Sequence, residues 1–160
     1  MKTPQVDGDR LQQQIDQLAA ISAAPAPVVT RVLFSEADLR ARAYVKKLCQ
    51  EAGLSLREDA VGNIFARWAG QDPNLPAVAT GSHIDAIPNA GRYDGVVGVL
   101  GAIEAIERRY GTIGNLFQPL QVIKLVVRHD ARNACCQHRL IIVPALSARA
   151  LCFRRGRLRP

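Results

Sequence analysis

The chain predicts an α/β fold, with helices packed on the faces of a sheet. The patterned segments run in the order helix, helix, strand, strand, strand, helix. The third strand is a short apolar run, Pro76-Ala77-Val78-Ala79-Thr80, bounded by turn residues. Directly behind it come Gly81-Ser82-His83-Ile84-Asp85 and Gly91-Arg92-Tyr93-Asp94-Gly95. Polar residues among glycines at the carboxyl end of a strand lie where open α/β sheets place their sites.

Gly8 to Ile21 reads as a helix with Leu11, Ile15, Leu18 and Ala19 on one face. Ala24-Pro25-Ala26-Pro27 stops it and predicts an extended linker. Ser35, with Asp38 three residues on, fits a capping box. The helix it starts is expected to run from about Glu36 to Ala52, burying Leu39, Ala43, Val45, Leu48 and Cys49, with Gly53 as its stop. Leu54 to Asp59 and Val61 to Trp68 read as two strands with a tight connection, and Trp68 is expected to pack rather than to bind substrate. Gly70 to Leu75 reads as a loop. After the strand ending at Gly81, a loop built from Pro88, Asn89 and Gly91 is expected to fold the chain back toward His83. A helix from about Gly95 to Arg109 follows, and β-branched content marks Leu120 to Val127 as a strand.

At 160 residues and 48% hydrophobic content the chain suffices for one domain with a core. No apolar run is long enough to span a bilayer, and MKTPQVDGDRLQQQ carries no secretory pattern, so cytosol is the expected compartment. Cys49, Cys135, Cys136 and Cys152 have neither zinc-ligand spacing nor the look of a disulfide framework. The net charge of +7 is unevenly placed. Residues 1–107 hold 10 Lys and Arg against 13 Asp and Glu, a net of −3, whereas 108–160 hold 11 against Asp130 alone, a net of +10. That basic segment raises a competing reading, a non-enzymatic protein binding nucleic acid or anionic surfaces. It has almost no interleaved aromatics for base stacking, with Phe153 alone among its arginines, which argues against nucleic acid.

The chemistry sits in the loop after the third strand. His83 and Asp85 are two apart, so on extended backbone they share a side. A metal-binding imidazole commonly has its other ring nitrogen held by a carboxylate. Asp94 offers a second ligand once the loop reverses. A His-x-Asp pair alone is also what a satisfied structural histidine looks like; with Asp94 added, the three residues read as half of a metal site.

The segment Ala77 to Ile106, AVATGSHIDAIPNAGRYDGVVGVLGAIEAI, closely resembles the dinuclear-metal amidohydrolases. These are the N-carbamoyl-L-amino-acid hydrolase, allantoate amidohydrolase and ureidoglycolate amidohydrolase group, related to the zinc aminoacylases and carboxypeptidases. The resemblance reaches back to about Gly8 and covers about two thirds of the chain. It implies the N-terminal part of a zinc-peptidase-like catalytic domain with helices on a mixed sheet, incomplete here. It also implies two divalent ions, zinc or manganese, a small-molecule substrate with a linear carbamoyl or ureido C–N bond, and a homodimer in the full-length family. Carried over by position, His83 is a ligand of one metal, Asp94 the bridging ligand and Asp85 the residue orienting His83.

The resemblance ends near Ile123, dividing the chain into residues 1–123 and a basic tail, 124–160. The family's Glu-Glu pair, a general base and a metal ligand, would follow the last strand; here Val126-Val127-Arg128-His129-Asp130 stands there, and no glutamate occurs after Glu107. His129 and His138 lie in no matching motif. A shifted reading frame would produce such a tail. Weak or single-site metal binding and an incomplete, inactive enzyme are therefore the expectations for this chain.

Overall fold

The computed structural model describes residues 5–69, 72, 77–110, 120–124 and 143–144. Helix α1 (Gly8–Ala20) starts at Asp7, whose carboxylate accepts the backbone N–H of Arg10 at 3.1 Å. It buries Gln14, Ile15 and Leu18. Helix α2 (Glu36–Glu51) starts at Ser35, whose hydroxyl accepts the N–H of Asp38. The reciprocal bond is displaced by one residue, because Asp38 Oδ2 accepts from Phe34 N–H at 2.9 Å. Gly53, at φ +71°, ends this helix as expected.

The inward face of α2 differs from the one read from apolar spacing. Leu39 is 54% exposed and Ala43 is also exposed, while Asp38, Ala41 and Arg42 are buried. Positions 38, 41, 42, 45, 48 and 49 keep the helical period; two of them are filled by charged residues that find partners there. Arg42 donates to the Gly62 carbonyl at 2.7 Å and pairs with Glu58.

Strands β2 (Ser55–Glu58) and β3 (Ile64–Trp68) form the expected hairpin. Asp59 Oδ1 accepts the N–H groups of Val61 and Asn63, closing a turn in which Gly62 sits at φ +83°. Trp68 packs, half-buried, against the core. With β4 (Val78–Ser82), β6 (Leu120–Lys124) and β7 (Val143–Pro144), these strands make one sheet in the order β2-β3-β6-β4-β7. Among the described residues only β4 and β6 pair in parallel, so the sheet is mixed. Helix α3 (Val96–Tyr110) packs on β4 and β6 and buries Val99, Leu100, Ile103 and Ile106 against α1 and α2 residues.

One expected loop is a strand, and so is a segment to which the sequence pattern assigns no element. Val29–Arg31, just after the proline-rich linker, forms β1, and Ala86–Ala90, including Pro88 and Asn89, forms β5. They pair antiparallel as a separate two-stranded sheet, with Arg31 opposite Ala86. The reversal toward His83 comes from the turn at residues 92–95 instead. β6 covers the first five residues of the strand expected over Leu120 to Val127, and residues 125–127 lie outside the described residues. Val143 and Pro144, from the basic tail, pair with Ala79 and Val78 on the far edge of β4. A strand with an open edge is a template for such pairing. The rest of the tail beyond Lys124, with His129, His138, Cys135, Cys136, Cys152 and Phe153, lies outside the described residues, as does most of the loop at Gly70–Leu75. Among the described residues, no helix is long and apolar enough to cross a membrane.

Two charge effects in this frame can be tested. A hydrogen bond from Lys46, with Arg42 beside it, holds the Glu58 carboxyl below its usual 4.5. A depressed folded value stabilises above the unfolded one and is lost as pH falls through the folded one. Glu58→Gln is therefore expected to be less stable at neutral pH and to show a shallower loss in acid, below about pH 4.5, in urea titrations. Burial, with a contribution from Glu107, pushes the Cys49 thiol up to about 12. At about pH 8.5, where a free thiol is half ionised, Cys49 is expected to resist alkylation until the protein unfolds. Modification of the native state at Cys49, mapped by peptide mass, would contradict this.

Candidate metal centre

β4 delivers the chain into the interior at Ser82, and residues 83–85 turn it toward β5. Those three residues belong to no helix or strand. His83, Ile84 and Asp85 are nonetheless all buried, His83 at 4% exposure. The turn at 92–95 then brings Asp94 back over His83, and α3 starts immediately behind it. Two glycines permit the close approach. A Cβ on Gly95 would lie 2.5 Å from the His83 carbonyl oxygen and 2.6 Å from its ring atoms Cε1 and Nδ1; one on Gly98 would lie 2.7 Å from Ser82 Cβ. The first turn of α3 is thus pressed against the end of β4, with the imidazole between.

His83 Nδ1 lies 3.0 Å from the backbone carbonyl oxygen of Asp85 and 3.7 Å from that residue's Oδ1. A carbonyl only accepts, so in the neutral ring this contact places the proton on Nδ1 and leaves Nε2 its lone pair. Nε2 stands 4.0 Å from Oδ1 of Asp94, whose side chain is 38% exposed. Sequence spacing assigns the ring contact to the Asp85 carboxylate. The 3.0 Å contact is made instead by its backbone carbonyl, with the carboxylate at the longer distance.

Sequence reasoning misses Arg31. It is 1% exposed; Nε donates to the Ile84 carbonyl and Nη1 to the carbonyls of Leu18 and Ile21, each at 2.7 Å. It therefore links the turn between His83 and Asp85 to the C-terminal end of α1, where a cation is favoured. Burial lowers the pKa of its guanidinium, and the Asp38 and Asp85 carboxylates oppose that shift. The signal in the sequence is one arginine inside the apolar stretch Val28-Val29-Thr30-Arg31-Val32-Leu33. Gly95, for its part, reads in the sequence only as a helix start.

The donor set fits one ion in part. Zinc bonds of about 2.0–2.2 Å to nitrogen and oxygen allow an ion to span 4.0 Å only at a wide angle; tetrahedral geometry wants about 3.4 Å. The exposed Asp94 side chain has room to close that difference. Among the described residues, no group of three or more His, Cys, Asp or Glu is arranged to hold a metal ion. His83 and Asp94 are the two potential donors that the fold brings within 4.0 Å of each other.

No family model matches the chain. Individual proteins do. Over 124 residues, 76% of this chain, it is 59% identical to the ureidoglycolate hydrolase of Arabidopsis thaliana, covering 25% of that protein. It is 41% identical over 106 residues to the N-carbamoyl-L-amino-acid amidohydrolase of a Pseudomonas strain, covering 66% of this chain and 26% of the relative. The crystal structure of AtUAH in complex with (S)-hydroxyglycine superposes with a TM-score of 0.73 at 59% identity, over 75% of this chain and 28% of that one. These residues belong to the ureidoglycolate hydrolase and N-carbamoyl-amino-acid amidohydrolase family. The chain spans about a quarter of the length of these curated relatives and corresponds to their N-terminal part. The helix-and-mixed-sheet architecture expected for that family is the one observed. An aminopeptidase from Bacillus cereus, 15% identical with a TM-score of 0.59, shares the fold alone.

Proposed function

We propose that this segment supplies part of the metal centre of a hydrolase acting on a linear ureido or carbamoyl C–N bond, with ureidoglycolate as the leading substrate. The observation that carries this reading is the placing of His83 Nε2 opposite Asp94 Oδ1, at 4.0 Å, in a chain 59% identical to a ureidoglycolate hydrolase. (S)-Hydroxyglycine, bound in the related crystal structure, is the amine left when water removes the carbamoyl group from ureidoglycolate. That chemistry favours the ureido branch over the carbamoyl amino acids.

In this reading His83 Nε2 and the Asp94 carboxylate would hold a zinc or manganese ion, with Asp94 shared with a second ion as the family resemblance implies, and the Asp85 segment holds the ring. A divalent ion, when bound, lowers the pKa of water and polarises the scissile carbonyl. The family resemblance implies a glutamate as general base, and this sequence offers none after Glu107. Loss of such a base costs a factor of roughly 100 to 10,000.

Calorimetric titration of the full chain with zinc or manganese tests the assignment. Weak binding, abolished by His83→Ala, is expected, since zinc sites ordinarily keep at least three protein ligands. Sub-micromolar binding that survives His83→Ala would overturn it. Ammonia release from ureidoglycolate, allantoate or N-carbamoyl amino acids is expected to stay far below the order of 1 per second typical of enzymes. Turnover at that rate would mean another residue replaces the base.

A further inference from the structure

We propose that Arg31 is a positioning residue for His83, acting through the Ile84 peptide to fix which ring nitrogen carries the proton. Its place in the fold supports this. β1 brings it beside β5, 53 residues away in the chain from the Ile84 carbonyl it binds at 2.7 Å. That carbonyl belongs to the peptide joining Ile84 to Asp85. With the Ile84 oxygen held by Nε, the next carbonyl, that of Asp85, is left turned toward His83 Nδ1 at 3.0 Å. In the neutral ring that acceptor favours the proton on Nδ1 and leaves the Nε2 lone pair on the Asp94 side. The other end of the guanidinium is anchored on the Leu18 and Ile21 carbonyls, so the peptide is held against the rigid end of α1.

The guanidinium is suited to this because its N–H groups form a planar fork of fixed geometry. Lysine in its place keeps the charge but has a compact head on a flexible stem, and it cannot hold Ile84, Leu18 and Ile21 from the same directions. The effect on metal binding rests on the reading of His83 as a ligand; the effect on the ring does not.

The test uses the full-length chain, metal-free and then with zinc alone. Long-range nitrogen–proton NMR of the histidine rings, assigned with His83→Ala, reports the His83 tautomer. Wild type is expected to show the Nδ1–H form and a through-hydrogen-bond coupling between Arg31 Nε and the Ile84 carbonyl carbon. Arg31→Lys, with backbone amide spectra of β3 and α3 unchanged, is expected to populate both tautomers. Its zinc affinity, read by dye competition, is expected to fall about 10- to 100-fold, the usual effect of losing a residue that orients a ligand. A folded Arg31→Lys with the wild-type tautomer overturns the proposal. If the variant does not fold, the wild-type coupling decides, and its absence overturns the proposal. If wild type binds no zinc, the ligand reading fails while the tautomer comparison still decides the role of Arg31.

Discussion

Gly95→Ala is expected to destabilise the chain by about 2–5 kcal/mol and to displace His83. Two costs combine. Gly95 sits at φ +69°, and an L-residue in that region costs roughly 1–2 kcal/mol. The added methyl would also stand 2.5–2.6 Å from the His83 carbonyl and ring, and overpacking of that kind costs about 1–3 kcal/mol. Neither neighbour yields cheaply, because His83 is buried and held at Nδ1 by the Asp85 carbonyl. The imidazole is the softer of the two contacts and is expected to tilt, moving Nε2 off the line to Asp94. Urea denaturation gives the stability change, and a zinc titration gives the loss of the half-site. A Gly95→Ala chain with wild-type stability and wild-type binding would show that α3 approaches His83 more loosely than these distances require.

The second large effect belongs to Arg31→Met. Methionine fills a similar volume but donates nothing to the carbonyls of Leu18, Ile21 and Ile84. A buried acceptor stripped of its donor costs roughly 1–3 kcal/mol. Removing a buried cation relieves its own desolvation, so the net loss is expected near 3–5 kcal/mol, the range for breaking a buried pair at one end. Asp38 and Asp85 also lose the positive charge that faces them. Against a total stability of about 5–15 kcal/mol for an ordinary domain, the variant is expected to be partly unfolded at 37 °C. A change below about 1 kcal/mol in urea would mean that water satisfies these carbonyls and that Arg31 is not structural.

Elements whose causes are local are legible in the amino-acid sequence. The period of α1, the Ser35 cap and Gly53 stop of α2, the β2–β3 turn at Asp59, and β4 running into GSHID all depend on residues within one or two turns of one another. The approach of Asp94 to His83 is legible in part, as the two are eleven positions apart, although β5 replaces the expected loop and the turn at 92–95 makes the reversal. Apolar spacing by itself misplaces the inward face of α2 at two positions. Leu39 and Ala43 face out while Asp38 and Arg42 face in, and a buried charge is acceptable only when a distant partner such as Glu58 or Gly62 meets it.

Residues far apart in the chain decide the remainder. β1 has three residues and no strong strand pattern, and it exists because Ala86–Ala90 supplies its hydrogen bonds. The order β2-β3-β6-β4-β7 sets β6 between strands that neighbour each other in sequence. Arg31 reads as one cation in an apolar run until Ile84, 53 positions on, and the end of α1 converge on it. The choice of the Asp85 carbonyl over its carboxylate as the nearer ring contact follows from that convergence. Periodicity and capping are written in neighbouring residues and survive reading one residue at a time; a hydrogen bond between distant segments depends on where the whole sheet and its helices come to rest.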